Sequence, residues 1–472
     1  MLNIAIQMEI KARELEGRSL LAMVAAERGH RVLLGDVRRH LRARPQDFPG
    51  GIFHDKSLTP SPDKRRFFTL LGEHGWTLTS QDEEHWLNLP DFEVPAVRRF
   101  SAETLTMAAR SFAWGDHERD ALQSRYPEQR ASVVSTGSPR TDLWLPELRP
   151  YHAEPPLPGI APGRPYVLFS SNFSFVLDVN PFWVRIRDKR RHYVGLDDAF
   201  EFDRYDAAAD KQRVLRDFVR AVRHLAASRP DLLVVVRPHP IEAEGAWEDL
   251  LGPVPNVLVT RERTLNAWIR GAVAVVQNGC TSGYEAAVGD VPVISFHPRG
   301  ILADYPVNML GLRASSIEEL DLQLDRVLAD RERWTRHRDP GADALLRRRL
   351  TIGTGGLAAE RIVDEWETLD VAPAPRLDIA RVLRGRRTVE LRRRAGTVKR
   401  SVGGVLRSGA DRGIGREVRA FRSDHKFPPI NASEIERVVR GLRRVLQRFD
   451  SIDARVVAPD LVLFESRVDS GA

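Results

Sequence analysis

The sequence predicts an α/β protein of two parallel-sheet domains followed by a basic, mainly helical extension. Three observations carry that expectation. Short apolar runs of strand length recur, end in polar or small residues, and are followed by helical patterns, as in open parallel sheets. A proline-rich stretch from Pro150 to Pro165 divides the chain into two such alternations. From residue 371 onward the composition turns Arg-rich. The expected domains are 1–150, 151–370 and 371–472, and a chain of 472 residues is too long for one ordinary core.

The elements follow in order. Ile4-Ala5-Ile6-Gln7-Met8 reads as a strand, Lys11 to Arg28 as a helix ended by Gly29-His30, and Arg31 to Gly35 as the next strand. Weaker strand signals lie at Trp76–Leu78, Ser111–Trp114 and Ala131–Val134, with helices at Thr104–Arg110 and His117–Tyr126. Gly137-Ser138-Pro139-Arg140 closes this half. The second half opens with Tyr166–Phe169 and continues with apolar strands at Leu232–Val236, Ala272–Val276 and Val291–Phe296. Helical patterns accompany them at Lys211–Ser228, Leu265–Arg270, Tyr284–Val288, Ile317–Leu328 and Gly356–Leu369. The last region is Arg-rich and then helical at Ser433–Phe449.

Composition narrows the function classes. No window approaches eighteen uninterrupted apolar residues, so no membrane span is expected. Met1–Ile10 has no basic lead or small-residue cleavage site and reads as a first strand, not a secretory signal. The single cysteine, Cys280, leaves no intrachain disulfide and suits a reducing cytoplasm. The net charge of +7 is concentrated between Arg376 and Arg422, with fifteen Arg or Lys against four Asp or Glu. Such a segment meets polyanions. Phe421 is its only aromatic residue, so base stacking has little to work with, and no nucleic-acid partner is expected. Anionic lipid of the inner leaflet, reached from the cytoplasm, is the expected partner of 376–422; a solvated basic helix is the plain alternative.

The most informative stretch is 232–298. There the strand ends carry Arg237-Pro238-His239-Pro240, Gln277-Asn278-Gly279-Cys280-Thr281-Ser282-Gly283-Tyr284-Glu285 and His297-Pro298. Ligands of open parallel sheets bind at the carboxyl ends of strands. A Gly-Cys-Thr-Ser-Gly turn opening a helix suits a phosphate, and Arg237 and His239 could donate to its oxygens. Asn278, Thr281, Ser282 and Gly283 form the expected phosphate-facing turn, and Glu285, one turn later, could hold ribose hydroxyls. The expected ligand is a nucleotide. Histidines are too scattered for a metal cluster, and no cofactor beyond a nucleotide-sugar substrate is expected. Cys280 reads as a small buried residue rather than a nucleophile.

Two α/β halves with nucleotide chemistry in the second resemble the GT-B glycosyltransferase plan, in which two Rossmann-like domains face each other across a cleft. Particular motifs sharpen this. Glu9-Ile10-Lys11-Ala12-Arg13-Glu14-Leu15, Ala25-Ala26-Glu27-Arg28-Gly29-His30 and Asp82-Glu83-Glu84 resemble the bacterial surface carbohydrate biosynthesis family. So do Thr136-Gly137-Ser138-Pro139-Arg140-Thr141-Asp142, Ser171-Asn172-Phe173 and His425-Lys426-Phe427-Pro428. The Arg-Pro-His-Pro and Thr-Ser-Gly-Tyr-Glu elements also resemble capsule Kdo transferases and polyglycerol-phosphate polymerases. The resemblance implies a metal-independent glycosyltransferase of surface polysaccharide assembly. A nucleotide-sugar donor would bind the second half and a glycan or lipid-linked acceptor the first. It implies Ser171 and Asn172 over the donor phosphates, Glu14 as general base, and Lys11, Arg13 and Arg140 on the acceptor side, with Asp82, Glu83, Glu84 and Asp116 as reserve carboxylates. A salt-bridge network among Glu9, Lys11, Arg13 and Glu14 is the structural alternative. A non-hydrolysing sugar-nucleotide epimerase of the same fold, or a catalytically silent assembly scaffold, are the competing functions.

Overall fold

The computed structural model describes residues 1–83, 87, 92–153, 156–178, 180, 182, 198–300, 305–336, 340–353, 355–385 and 427–467. The chain divides into two compact units, one from 1–85, 92–143 and 349–472, the other from 86–91 and 144–348.

In the first unit six strands pair in parallel: β1 (Asn3–Gln7), β2 (Arg31–Gly35), β3 (Gly51–Asp55), β4 (Trp76–Gln81), β5 (Arg110–Ala113) and β6 (Val133–Ser135). Their order is β2-β1-β3-β4-β5-β6, so the chain reverses direction across the sheet at β1 and β3. All five residues of β1 are buried, as a strand covered on both faces requires. The Lys11–Glu27 helix is buried almost all round from Leu20 to Ala26 because it packs on β2, on the Ala358–Glu367 helix and on the Pro139–Asp142 turn. Gly17 permits the last contact: a Cβ there would lie 3.0 Å from the Arg140 Cα.

The second unit holds β7 (Tyr166–Ser170), β8 (Leu233–Arg237), β9 (Val257–Val259), β10 (Val275–Gln277), β11 (Val293–Phe296) and β12 (Leu312–Ala314), again all parallel. Their order, β12-β11-β10-β7-β8-β9, is the doubly wound Rossmann order with its reversal between β7 and β10. Phe169, Phe173, Phe218, Trp247 and Phe296 form an aromatic core beneath the strand ends.

The C-terminal region supplies the expected helix, Ala432–Leu446, and also a hairpin that its sequence did not announce. Strands β13 (Ile452–Ala458) and β14 (Leu461–Ser466) pair with each other, and β14 runs antiparallel to β2 at the edge of the first sheet. β3 and the Val37–Ala43 and Pro62–Glu73 helices were likewise not foreseen. The helix expected at Thr104–Arg110 is Ala102–Thr106, and Arg110 instead opens β5. Of the basic stretch 376–422, residues 376–385 are described; Arg376 pairs with Glu465 at 3.0 Å and Arg381 with Asp47 at 3.1 Å. Glu84, Phe421, His425, Lys426 and the rest of that stretch lie outside the described residues. Among the described residues no helix is long and apolar enough to cross a membrane.

Candidate functional site

In the second unit the strand-order reversal brings two expected segments together. The Asn172 side-chain amide donates to the carbonyls of Asn278 (3.0 Å) and Gly279 (2.9 Å), tying the loop after β7 to the turn after β10. Buried Gln277 shapes that turn: its amide donates to Ser295 Oγ and Asn308 Oδ1, and its carbonyl oxygen accepts from the Cys280 N–H at 2.9 Å. Asn308 Oδ1 also accepts from the Gly279 N–H at 3.1 Å. Gly279 adopts a positive φ of 61°, and a Cβ on Gly283 would lie 2.5 Å from Val307 Cγ2, so both glycines are required by geometry. Asn278 donates to the Phe296 carbonyl at 2.9 Å, while its Oδ1 and the Ser282 Oγ are buried without hydrogen-bond partners among the described residues. The following helix, Ser282–Val288, is short, and Thr281 makes no side-chain cap. Glu285 lies inside the unit, 1% exposed, where its charge acts on Arg270.

Arg237 and His239 stand at the end of β8, where protein groups already hold the Arg237 guanidinium and the His239 N–H and Nδ1. The Arg237 guanidinium donates to the carbonyls of Thr260 (2.9 Å), Glu262 (2.8 Å) and Arg263, clamping the loop after β9. Burial, and then Arg261, lower its pKa to about 10. His239 is half-buried, and its Nδ1 accepts from the Ile241 N–H at 3.3 Å. The Pro-stiffened turn is held by a residue that sequence reading passed over. Glu242, 2% exposed, accepts from Ser171 Oγ (2.6 Å), Phe173 N–H (2.8 Å), Trp247 Nε1 (3.0 Å) and His239 N–H (3.1 Å). It joins the loops after β7 and β8, so Ser171 hydrogen-bonds protein rather than solvent. Burial raises the Glu242 pKa against the pull of those donors.

Lys211, on the long Asp198–Ser228 helix that follows β7, was also overlooked. Its Nζ is buried, lies 5.7 Å from the Phe173 ring centre, and makes no hydrogen bond among the described residues. The titratable groups within electrostatic reach of it are Cys280 and Glu242. Cys280 Sγ itself is 3.6 Å from Ser170 Oγ at the end of β7.

The first unit contains a small pocket lined by Glu14, Arg18, Gln81, Glu83, Pro139 and Arg140 among others. Glu14 is 1% exposed and its carboxylate turns back to accept from the N–H groups of Glu9 (2.9 Å) and Ile10 (3.1 Å). Burial, then the neighbouring Glu83, raise its pKa. Glu83 pairs with Arg18 at 3.0 Å, leaving its Oε2 buried without a hydrogen-bond partner. Arg13 stands 3.5 Å from Glu14, and Glu9 pairs with Lys56, so the salt-bridge network expected here exists in part. Lys11 does not join it: its ammonium donates to the Pro429 carbonyl and to Glu434, both at 2.9 Å, anchoring the C-terminal segment. Among the reserve carboxylates, Asp82 is held by Arg99 at 2.7 and 2.9 Å and Asp116 by Arg119 at 2.8 Å. Asp142 caps the Ala358–Glu367 helix by accepting from Ala358 N–H (2.9 Å) and Ala359 N–H (3.1 Å). Among the described residues no group of three or more His, Cys, Asp or Glu could hold a metal ion.

No protein-family model and no curated protein matches the chain. It is similar to solved structures of UDP-GlcNAc 2-epimerases. One is from Rickettsia bellii, at 12% identity and TM-score 0.44, covering 77% of this chain and 95% of that one. Another is from Neisseria meningitidis, bound to UDP-GlcNAc, at 11% and 0.44, covering 77% and 98%. A third, from Methanocaldococcus jannaschii, stands at 10% and 0.45, covering 78% and 99%. At such identities and scores these likenesses assign no reaction, and the α/β architecture stands on the two strand orders described above.

Proposed function

We propose that this chain is a nucleotide-sugar enzyme whose second unit binds the nucleotide portion of its substrate. One observation carries the reading. The reversal between β7 and β10 gathers the Ser170–Asn172 loop, the Gln277–Ser282 turn and the Lys211 amine at the strand ends, where a doubly wound sheet takes its ligand. Proton transfer is assigned to the first unit's pocket. There Glu14, whose pKa burial raises, and Glu83, whose Oε2 has no hydrogen-bond partner among the described residues, line one pocket. Arg140, on the same pocket wall, is assigned to an anionic group of the substrate or acceptor.

Glycosyl transfer to a glycan or lipid-linked acceptor is the reaction this chain's motifs resemble. Epimerisation of the nucleotide sugar is the second reading, favoured by two neighbouring carboxylates, Glu14 and Glu83, in one pocket, which could move protons without an acceptor. One experiment separates them. Calorimetry first ranks nucleoside mono- and diphosphates, and proton NMR then follows the matching nucleotide sugars in deuterated buffer. Transfer shows as nucleotide release that requires an added acceptor. Epimerisation shows as inversion at a ring carbon with deuterium uptake and no acceptor. Absence of binding across all nucleotides would refute the reading.

A further inference from the structure

Cationic candidates on the β7–β8 side of the reversal differ in what they already hold. Arg237 is engaged with three backbone carbonyls, and Arg261 donates to the carbonyls of His239, Glu242 and Ala243. Lys211 has neither a hydrogen bond nor an ion pair within 4.0 Å among the described residues, although its Nζ is buried. A buried ammonium whose one close partner is the Phe173 ring, 5.7 Å away, keeps its hydrogen-bonding capacity unmet, which is costly, and a ligand would complete it. Its position agrees with a binding role. The amine lies within electrostatic reach of Cys280, in the turn after β10, and of Glu242, which anchors Ser171 after β7.

We propose that Lys211 is the cation that receives the phosphate groups of the ligand in the second unit. This rests on the nucleotide reading and adds to it the residue that recognises charge. The Ser282 hydroxyl, which can donate to a phosphate oxygen and is buried without a hydrogen-bond partner among the described residues, follows directly on the turn that carries Cys280. Burial pulls the Lys211 pKa down to about 8, with Cys280 and Glu242 drawing it back up. An arriving phosphate supplies the missing counter-charge in a region shielded from water, where such a bond is strongest.

The test uses inorganic pyrophosphate and a panel of nucleoside diphosphates, titrated calorimetrically into the wild-type chain, Lys211→Met and Lys211→Arg. Lys211→Met should weaken binding at least about tenfold, in line with loss of one charge-assisted bond, and Lys211→Arg should recover part of it. A second readout separates binding from scaffolding. Methionine fills the same space without an unpaired charge, so Lys211→Met should unfold at a higher temperature than wild type. Pyrophosphate and nucleotide affinities unchanged in Lys211→Met overturn the inference and leave the nucleotide reading standing. A wild type that binds pyrophosphate through Lys211 but prefers no nucleoside diphosphate over it upholds the residue and overturns the nucleotide. Binding of neither overturns both.

Discussion

Replacing Glu242 by alanine tests whether one buried carboxylate holds the second unit's strand-end loops in register. Four donors converge on it: Ser171 Oγ, Phe173 N–H, Trp247 Nε1 and His239 N–H, at 2.6 to 3.1 Å. Two of them can be rescued. Trp247 Nε1 already lies 3.2 Å from Ser171 Oγ, and His239 is half-buried, so water can reach its turn. The Phe173 N–H, above a fully buried ring, cannot be rescued, and the Ser171 hydroxyl loses its acceptor. Two buried polar groups left unsatisfied, at about 1–3 kcal/mol each, give an expected loss of about 2–6 kcal/mol. Glu242→Gln keeps one acceptor oxygen and should lose less. Unfolding a chain of two units is not a single transition. The assay is therefore hydrogen exchange of the peptides covering 168–177 and 233–247, with urea unfolding as the companion measurement. Protection in both peptides should fall together in Glu242→Ala, along with pyrophosphate affinity, because Lys211 loses a neighbouring charge and its surroundings loosen. Protection within about 1 kcal/mol of wild type would refute the claim that this carboxylate organises the loops.

The first unit titrates in a defined direction. Burial raises the Glu118 pKa to about 8 from the ordinary carboxylate value of 4.5, so the folded state holds a proton that the unfolded state releases. Stability from this group is therefore greatest at low pH and declines as pH rises from about 4.5 to 8, by up to about 1.4 kcal/mol per unit; Glu118→Gln should flatten that slope in urea unfolding between pH 5 and 9, and an unchanged slope would contradict the assignment. At the sheet edge, Phe464 of β14 is fully buried, so Phe464→Ala should cost about 3–5 kcal/mol and release the amides of β2, whose Val32 pairs with it. Retained β2 protection would show that the hairpin is dispensable. Nucleotide affinity should be the same in EDTA as in magnesium if Lys211 supplies the counter-charge; binding that needs the divalent ion would contradict that role.

The parallel sheets were legible wherever strands are apolar on both faces. Leu233–Val236 and Ile4–Ile6 declare themselves. β3 escaped notice because its residues, Gly51-Ile52-Phe53-His54-Asp55, place polar groups inside. His54 is fully buried against Thr79 at 3.1 Å, and Asp55 carries a buried ion pair to Lys64. Such a strand looks like a loop until its partners are known. β14 reads locally as a strand, Leu461-Val462-Leu463-Phe464, but the Arg-rich composition around it suggested a helical extension, and its neighbour β2 lies more than four hundred residues earlier.

The site was legible in its backbone and not in its charges. The Asn172 and Asn278 segments do meet, because strand order alone places them side by side. Which cation serves the ligand depends on which cations are already occupied, and that is a tertiary property. Arg237 looked exposed at a strand end, yet the loop after β9 folds onto it with three carbonyls. Lys211 lies in a charged and polar run, Asp210-Lys211-Gln212-Arg213, where the sequence predicts only the start of a helix. Helical spacing could have found it: Lys211, Val214, Phe218, Val222 and Leu225 follow one another at intervals of three and four, and all but the lysine are fully or nearly fully buried apolar residues. A single ammonium on an otherwise apolar face is the local conflict that a fold tolerates where function demands it. In the proposed site the lysine, with no hydrogen bond among the described residues, therefore weighs more than Arg237, whose guanidinium already serves three carbonyls.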